Sequence, residues 1–214
     1  MRIESFTFNA FEENTYLLID QGKEAAIIDP GCYEREEQLN LREFVEKEGL
    51  SVKYIINTHC HIDHVLGNQY AQNTFQAKLM IPANEIHTLH AVKVYAPNYG
   101  FVHYQEAQPD GFLQEGQTIH FGSTTLEVLY VPGHSAGHIG LFNRRDKQLI
   151  IGDVLFFHSI GRTDLPGGNN ELLIRNIHEK LFSLGDDVIV YPGHGPTTTI
   201  GEEKANNPYC AIEV

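Results

Sequence analysis

Residues 59–64 read His-Cys-His-Ile-Asp-His, and no other segment restricts the folding of this chain as tightly. Three imidazoles and a carboxylate crowd into six residues directly after a short apolar strand, Lys53–Ile56, so they arrive together at a strand end. In an extended turn His59 and His61 point to the same side, because side chains alternate with period two. Asp63 and His64 fall where the chain turns into a helix and can aim at a neighbouring position. Three borderline-soft nitrogens and one hard oxygen suit a transition metal better than calcium or magnesium. The plainer alternative makes Asp63 a helix cap and leaves the histidines at the surface.

Three later segments repeat the placement. Val131-Pro132-Gly133-His134-Ser135 follows an apolar strand, and Gly133 permits the sharp turn that projects His134. Ile150-Ile151-Gly152-Asp153 delivers a carboxylate from a very apolar strand, where a lone charge is costly unless a cation meets it. Tyr191-Pro192-Gly193-His194-Gly195 mirrors the first. Five His and two Asp exceed one tetrahedral ion and suit two. The expected division puts His59, His61 and His134 on one ion and Asp63, His64 and His194 on the other, with Asp153 bridging. Open coordination positions remain, as a catalytic site requires. The ions are expected to be divalent zinc, with iron or manganese as alternatives.

The surrounding pattern is layered. Strands are expected at Ile3–Phe8, Thr15–Ile19 and Glu24–Ile28. A helix over 34–48 follows, with Leu39, Phe44 and Val45 at helical spacing and Gly49 as its stop. After the motif come a polar helix to about Phe75, a strand Lys78–Ile81 and a helix from Pro82. The second half brings strands near 118–121, 125–131, 139–143 and 149–152, a helix over 170–184 and a strand at 188–191. This alternation favours α/β architecture in one domain, residues 1–214, with every motif just after a strand. Lys+Arg 15 against Asp+Glu 28 leaves a net charge of −13, which disfavours nucleic acid as a partner. No apolar run approaches the roughly 20 residues of a spanning helix, and the first residues lack a secretory apolar core, so a cytoplasmic protein is expected. Three scattered cysteines do not form a disulfide framework.

With these motifs in place, and with Asn14-Thr15-Tyr16-Leu17 and Ile28-Asp29-Pro30-Gly31 at the start, the chain resembles the metallo-β-lactamase superfamily over nearly its whole length. The resemblance implies a four-layer αββα sandwich with a binuclear site at one edge. Gly152-Asp153 argues against true β-lactamases, which lack a bridging Asp there, and His61 against flavodiiron oxygen reductases. The short glyoxalase II-like (hydroxyacylglutathione hydrolase-like) branch fits best and implies a small-molecule thioester substrate. In that branch a basic residue at the offset of Arg162 contacts substrate; an ion pair with Asp164 is the alternative. The family's substrate-binding Tyr is Pro196 here, and the chain runs only 20 residues past His194. A separate C-terminal glutathione-binding domain is therefore not expected.

The resemblance further implies a hydroxide nucleophile oriented by Asp63 as the catalytic carboxylate, and a thiolate able to leave without a general acid. His138 and Asp29 either orient ligands or are simple strand-end residues. Cys60, pointing away from the ligands by alternation, is expected to pack. The aromatic stretch Tyr95–Gln117 is expected to be loop-like, as core or as a cover for the cleft. His87, His90, His103, His120, His158 and His178 show no ligand spacing and are expected to be structural or solvated. Two rival functions remain. A persulfide dioxygenase would use one iron on His59, His134 and Asp153, and a metal-holding module would have no turnover.

Overall fold

The computed structural model describes residues 1–212, and the chain divides into two units. The first comprises Met1–Leu113 with His120–Thr124; the second comprises Gln114–Ile119 and the chain from Thr125 onward.

In the first unit, β1 (Arg2–Phe8), β2 (Glu13–Ile19), β3 (Glu24–Ile28), β4 (Ser51–Ile56), β5 (Lys78–Pro82) and β6 (Gly111–Leu113) hydrogen-bond in that order into one sheet. β1, β2 and β3 pair antiparallel through short turns. β3 to β6 pair parallel, and the long crossovers this requires carry helices. These are α1 (Arg35–Glu48), α2 (Ile62–Val65), α3 (Asn68–Phe75) and α4 (Ile86–Tyr95). Burial of Ala25, Ala26, Ile27 and Ile28 in succession is what a central strand covered on both faces demands. At the start of α1 the Glu37 carboxylate accepts the N–H groups of Tyr33 and Glu34 at 2.8 and 2.9 Å, satisfying donors a helix start leaves without partners. Gly49 ends the helix at φ 64°, the left-handed cap expected of it. The helix buries Leu41 and Val45, whereas Leu39 is only half covered.

The second unit contains β7 (Thr118–Phe121), which it shares with the first, β8 (Thr124–Tyr130), β9 (Ile139–Asn143), β10 (Gln148–Gly152), the ribbon strands β11 (Leu155–Phe156) and β12 (Ser159–Ile160), β13 (Ile189–Pro192) and β14 (Thr198–Thr199). Its sheet runs β14-β13-β10-β9-β8-β7. The expected helix over 170–184 is α5 (Asn170–Asn176) continued by a wider π turn, Ile177–Leu181. α6 (Ile200–Asn206), β6, the ribbon and β14 were not expected, being too short for a periodic signal. Leu149, Ile151 and Val190 pack with Leu173, Ile177 and Phe182 as the core of this unit. Among the described residues no helix is long and apolar enough to cross a membrane.

The turn after β7 groups with the first unit because Asp20 holds it. Ser123 N–H, Ser123 O–H and Thr124 O–H donate to Asp20 Oδ1 at 3.0, 2.8 and 3.0 Å, and Gly22 N–H donates to Oδ2 at 2.7 Å. These donors, Gly22 N–H foremost, pull the carboxyl from 3.8 down to about 2. Stabilisation tied to a depressed pKa is complete above the ordinary value and is lost as pH falls through the depressed one. Asp20→Asn, which sets an amide against these donors, should cost about 1–3 kcal/mol at neutral pH. Thermal melting across pH should show the two proteins converging as pH falls toward about 2; a gap independent of pH would refute the assignment.

Candidate metal centre

In the first unit, β3 and β4 are parallel neighbours that end at the same edge of the sheet, so Asp29 and Thr58 emerge together. Asp29 accepts Thr58 N–H at 2.7 Å and Thr58 O–H at 2.6 Å. Having given its one proton to Asp29, the Thr58 hydroxyl meets His59 Nδ1, 3.1 Å away, as an acceptor. His64 Nδ1 lies 3.2 Å from Asp29 Oδ2. The His59 ring therefore holds its proton on Nδ1 and keeps Nε2 as the lone-pair nitrogen, while the His64 ring has Asp29 beside its Nδ1. His59 and His64 are fully buried, with ring centres 4.2 Å apart, and the His61 ring centre lies 4.7 Å from that of His59. Asn57 Nδ2 donates to His64 O at 2.9 Å and Glu85 accepts Cys60 N–H at 3.0 Å, so the motif is fastened along its length. Asp29, His59 and His64 lie close enough to form a metal-holding group. Asp29 also accepts both hydrogen bonds from Thr58.

In the second unit, β10 and β13 are parallel with a one-residue slip between Ile150 and Gly152. Gly193 N–H donates to Gly152 O at 2.8 Å, which brings the two motifs out side by side. His194 Nε2 lies 3.5 Å from Asp153 Oδ2. His134 rides the connection between β8 and β9. Gly133 adopts φ 144° there, and a Cβ at this position would stand 2.5 Å from Leu173 Cα. Asn169 N–H donates to Gly133 O and Asn176 Nδ2 to Pro132 O, each at 2.7 Å, so α5 and the residue before it clamp the loop. His134 Nδ1 donates to the Arg162 carbonyl at 2.8 Å, leaving Nε2 3.7 Å from Asp153 Oδ2. Asp153 N–H donates to His138 Nε2 at 3.1 Å. His138 thus holds the backbone of Asp153.

These spacings test whether an ion fits. The His134–Asp153, His194–Asp153 and His64–Asp63 donor pairs stand 3.7, 3.5 and 3.5 Å apart. That is too long for hydrogen bonds, which run about 2.7–3.2 Å. Two donors each 2.0–2.2 Å from a tetrahedral ion lie about 3.3–3.6 Å from one another. Donors at these separations fit a transition metal, and the far nitrogens of His59 and His134 each face an acceptor.

Arg162 forms a two-point ion pair with Asp164, at 2.7 Å for both contacts, and both side chains are exposed. Its side chain and its carbonyl therefore do separate jobs. Cys60 is fully buried and packs in the core of the first unit, and burial foremost, with Glu85 and Asp29 nearby, pushes its thiol well up. The Tyr95–Gln117 stretch is less loop-like than expected. It contains a 3₁₀ turn, Ala96–Tyr99, and β6, and its Tyr99 and Phe101 rings lie 5.9 and 6.0 Å from Phe11. His90 and His158 pair with Glu106 and Glu202, both at 2.7 Å. Sequence reasoning missed Asn57, Glu85 and Glu13. Glu13 is fully buried with Oε1 3.9 Å from His64 Nδ1, and burial raises its pKa. Glu13 opens β2 beside Asn14 and Thr15, so no local pattern marked it.

The chain matches the metallo-beta-lactamase superfamily over residues 9–194. It is 38% identical over 211 residues to the hydroxyacylglutathione hydrolase GloC of Haemophilus influenzae, covering 98% of each chain. The crystal structure of the BLEG-1 B3 metallo-beta-lactamase superposes with a TM-score of 0.88 at 32% identity, over 99% of this chain and 100% of that one. TTHA1623, crystallised in a di-iron-bound form, gives a TM-score of 0.85 at 31% identity, over 96% and 99%. The two mixed sheets with their flanking helices are thus the metallo-beta-lactamase fold, and the chain belongs to the metallo-beta-lactamase superfamily.

Proposed function

We propose that the chain is a binuclear metal-dependent hydrolase of a small hydroxyacyl thioester. In this reading His59, His61 and His134 hold one ion, Asp63, His64 and His194 the other, and Asp153 bridges. Asp153 carries the argument. One of its carboxylate oxygens stands at ligand-sharing distance from the Nε2 atoms of both His134 and His194, 3.7 and 3.5 Å. The superfamily match and the His/Asp groups of metal-holding spacing support the same reading.

When bound, two divalent ions supply a hydroxide at neutral pH and an electrophile for the thioester carbonyl. The chain's residues do the rest. The Thr58 hydroxyl and the Arg162 carbonyl hold protons on the outer nitrogens of His59 and His134, and the Asp29 carboxylate lies beside that of His64, so these rings stay aimed. Asp63 accepts the hydrogen bond of the attacking water and keeps it in line. The departing thiolate, with a pKa of roughly 8.5, needs no proton donor. Arg162 reaches an acidic substrate by exchanging its exposed partner Asp164 for a substrate carboxylate. The Haemophilus influenzae relative, named a hydroxyacylglutathione hydrolase, is covered over 98% of its own length. A chain of this size thus carries that name, and glutathione stands among the candidate carrier thiols.

Elemental analysis of the isolated protein, together with a panel of thioesters including S-lactoylglutathione, a β-lactam and a persulfide, tests this reading. Two equivalents of zinc or iron with thioester turnover are expected. One iron with oxygen uptake on the persulfide, or turnover of the β-lactam alone, would overturn it. Asp153→Ala should abolish turnover and lower metal content below wild type; full occupancy with normal rates would remove the bridge. Arg162→Ala keeps the carbonyl that His134 needs, so metal content should stay near wild type while KM for an acidic thioester rises. Unchanged kinetics would leave Arg162 only its ion pair.

A further inference from the structure

We infer that Asn9, in the turn between β1 and β2, is a positioning residue that fastens Asp63 and so sets how tightly the second ion is held. The inference rests on the reading of Asp63 as a ligand of that ion. α2 is four residues long, Ile62–Val65, far below the length at which a helix holds itself together in water. The placement of Asp63 must therefore come from contacts outside the helix. In a continuing helix the Asp63 carbonyl would receive the N–H of residue 67. Here Gly67 N–H turns away and donates to Pro30 O at 2.7 Å. Asn9 supplies the donor in its place, with Nδ2 at 3.0 Å from Asp63 O.

The same amide group donates to Gly31 O at 3.1 Å, and Asn9 Oδ1 accepts Phe11 N–H at 2.9 Å. Its backbone N–H donates to Glu37 at 2.6 Å. One side chain thus ties the Asp63 turn to the segment beginning at Asp29, which orients His64, and locks its own turn while doing so. Asn9 sits at φ 52°, a left-handed conformation in which Asn is one of the few tolerated residues besides Gly. A plain turn role would use that conformation and nothing more. The two carbonyl contacts go beyond it, because they require an N–H donor at the end of the side chain.

Two substitutions separate these roles. Asn9→Asp keeps the turn and the acceptor for Phe11 N–H but sets an oxygen against two carbonyls. Asn9→Gly keeps the turn and deletes the side chain. Apo protein prepared by chelation is titrated with Zn²⁺ by calorimetry, with Asp63→Asn alongside, and apo melting is followed in parallel. Wild type should bind two ions. Both Asn9 variants should bind the first ion as wild type does and the second about 10–100-fold more weakly, the usual effect of losing a group that orients a ligand. Apo Asn9→Gly should still melt in one cooperative transition, below wild type because it loses three side-chain hydrogen bonds. Two ions at wild-type affinity in both variants, or equal weakening of both ions in Asn9→Gly, would overturn the role of Asn9 and leave the ligand reading standing. A single ion in wild type, or an undiminished second ion in Asp63→Asn, would overturn the ligand reading and this inference with it.

Discussion

An imidazole serves as a ligand only while its proton sits on the nitrogen facing the protein, and three buried rings here have an oxygen set against that nitrogen. Asp29 stands against His64, the Thr58 hydroxyl, already spent on Asp29, against His59, and the Arg162 carbonyl against His134. Much of the local architecture serves to place these three acceptors. The parallel pairing of β3 with β4 is what sets Asp29 opposite Thr58.

The second unit meets the same requirement differently. Its acceptor is a main-chain carbonyl, and its ligands are aimed by backbone devices: the slip in β10, the Gly193–Gly152 hydrogen bond, and the close approach of Leu173 to Gly133. Side-chain chemistry therefore constrains the candidate ligands of the first unit, and main-chain geometry those of the second. This explains why Arg162 can carry an exposed, exchangeable ion pair while its carbonyl does structural duty a few bonds away.

The candidate ligands could be picked out of the sequence because their pattern is local: a His or Asp at a strand end, punctuated by Gly. Strands such as β3 and β10 were legible for the same reason, since they are largely apolar runs bounded by turn residues. The residues that hold the ligands were not. Glu85 meets Cys60 across 25 positions, and Asn9 meets Asp63 across 54; no periodicity records such pairings. Gly133 was read correctly as a turn, yet its second reason to be glycine, the backbone of Leu173, comes from tertiary packing alone. Short elements such as β11, β12 and β14, two residues each, exist only through their partners.

The three cysteines are all reduced and buried, Cys32 and Cys60 in the first unit and Cys210 in the second. Each is masked from thiol-reactive reagents until its surroundings open, and opening free energies differ from region to region. The chain therefore carries its own set of accessibility clocks. The rate at which a reagent reaches Cys60 reports on loosening of the histidine-rich turn itself, while Cys210 reports on the other unit, with no label engineered into either.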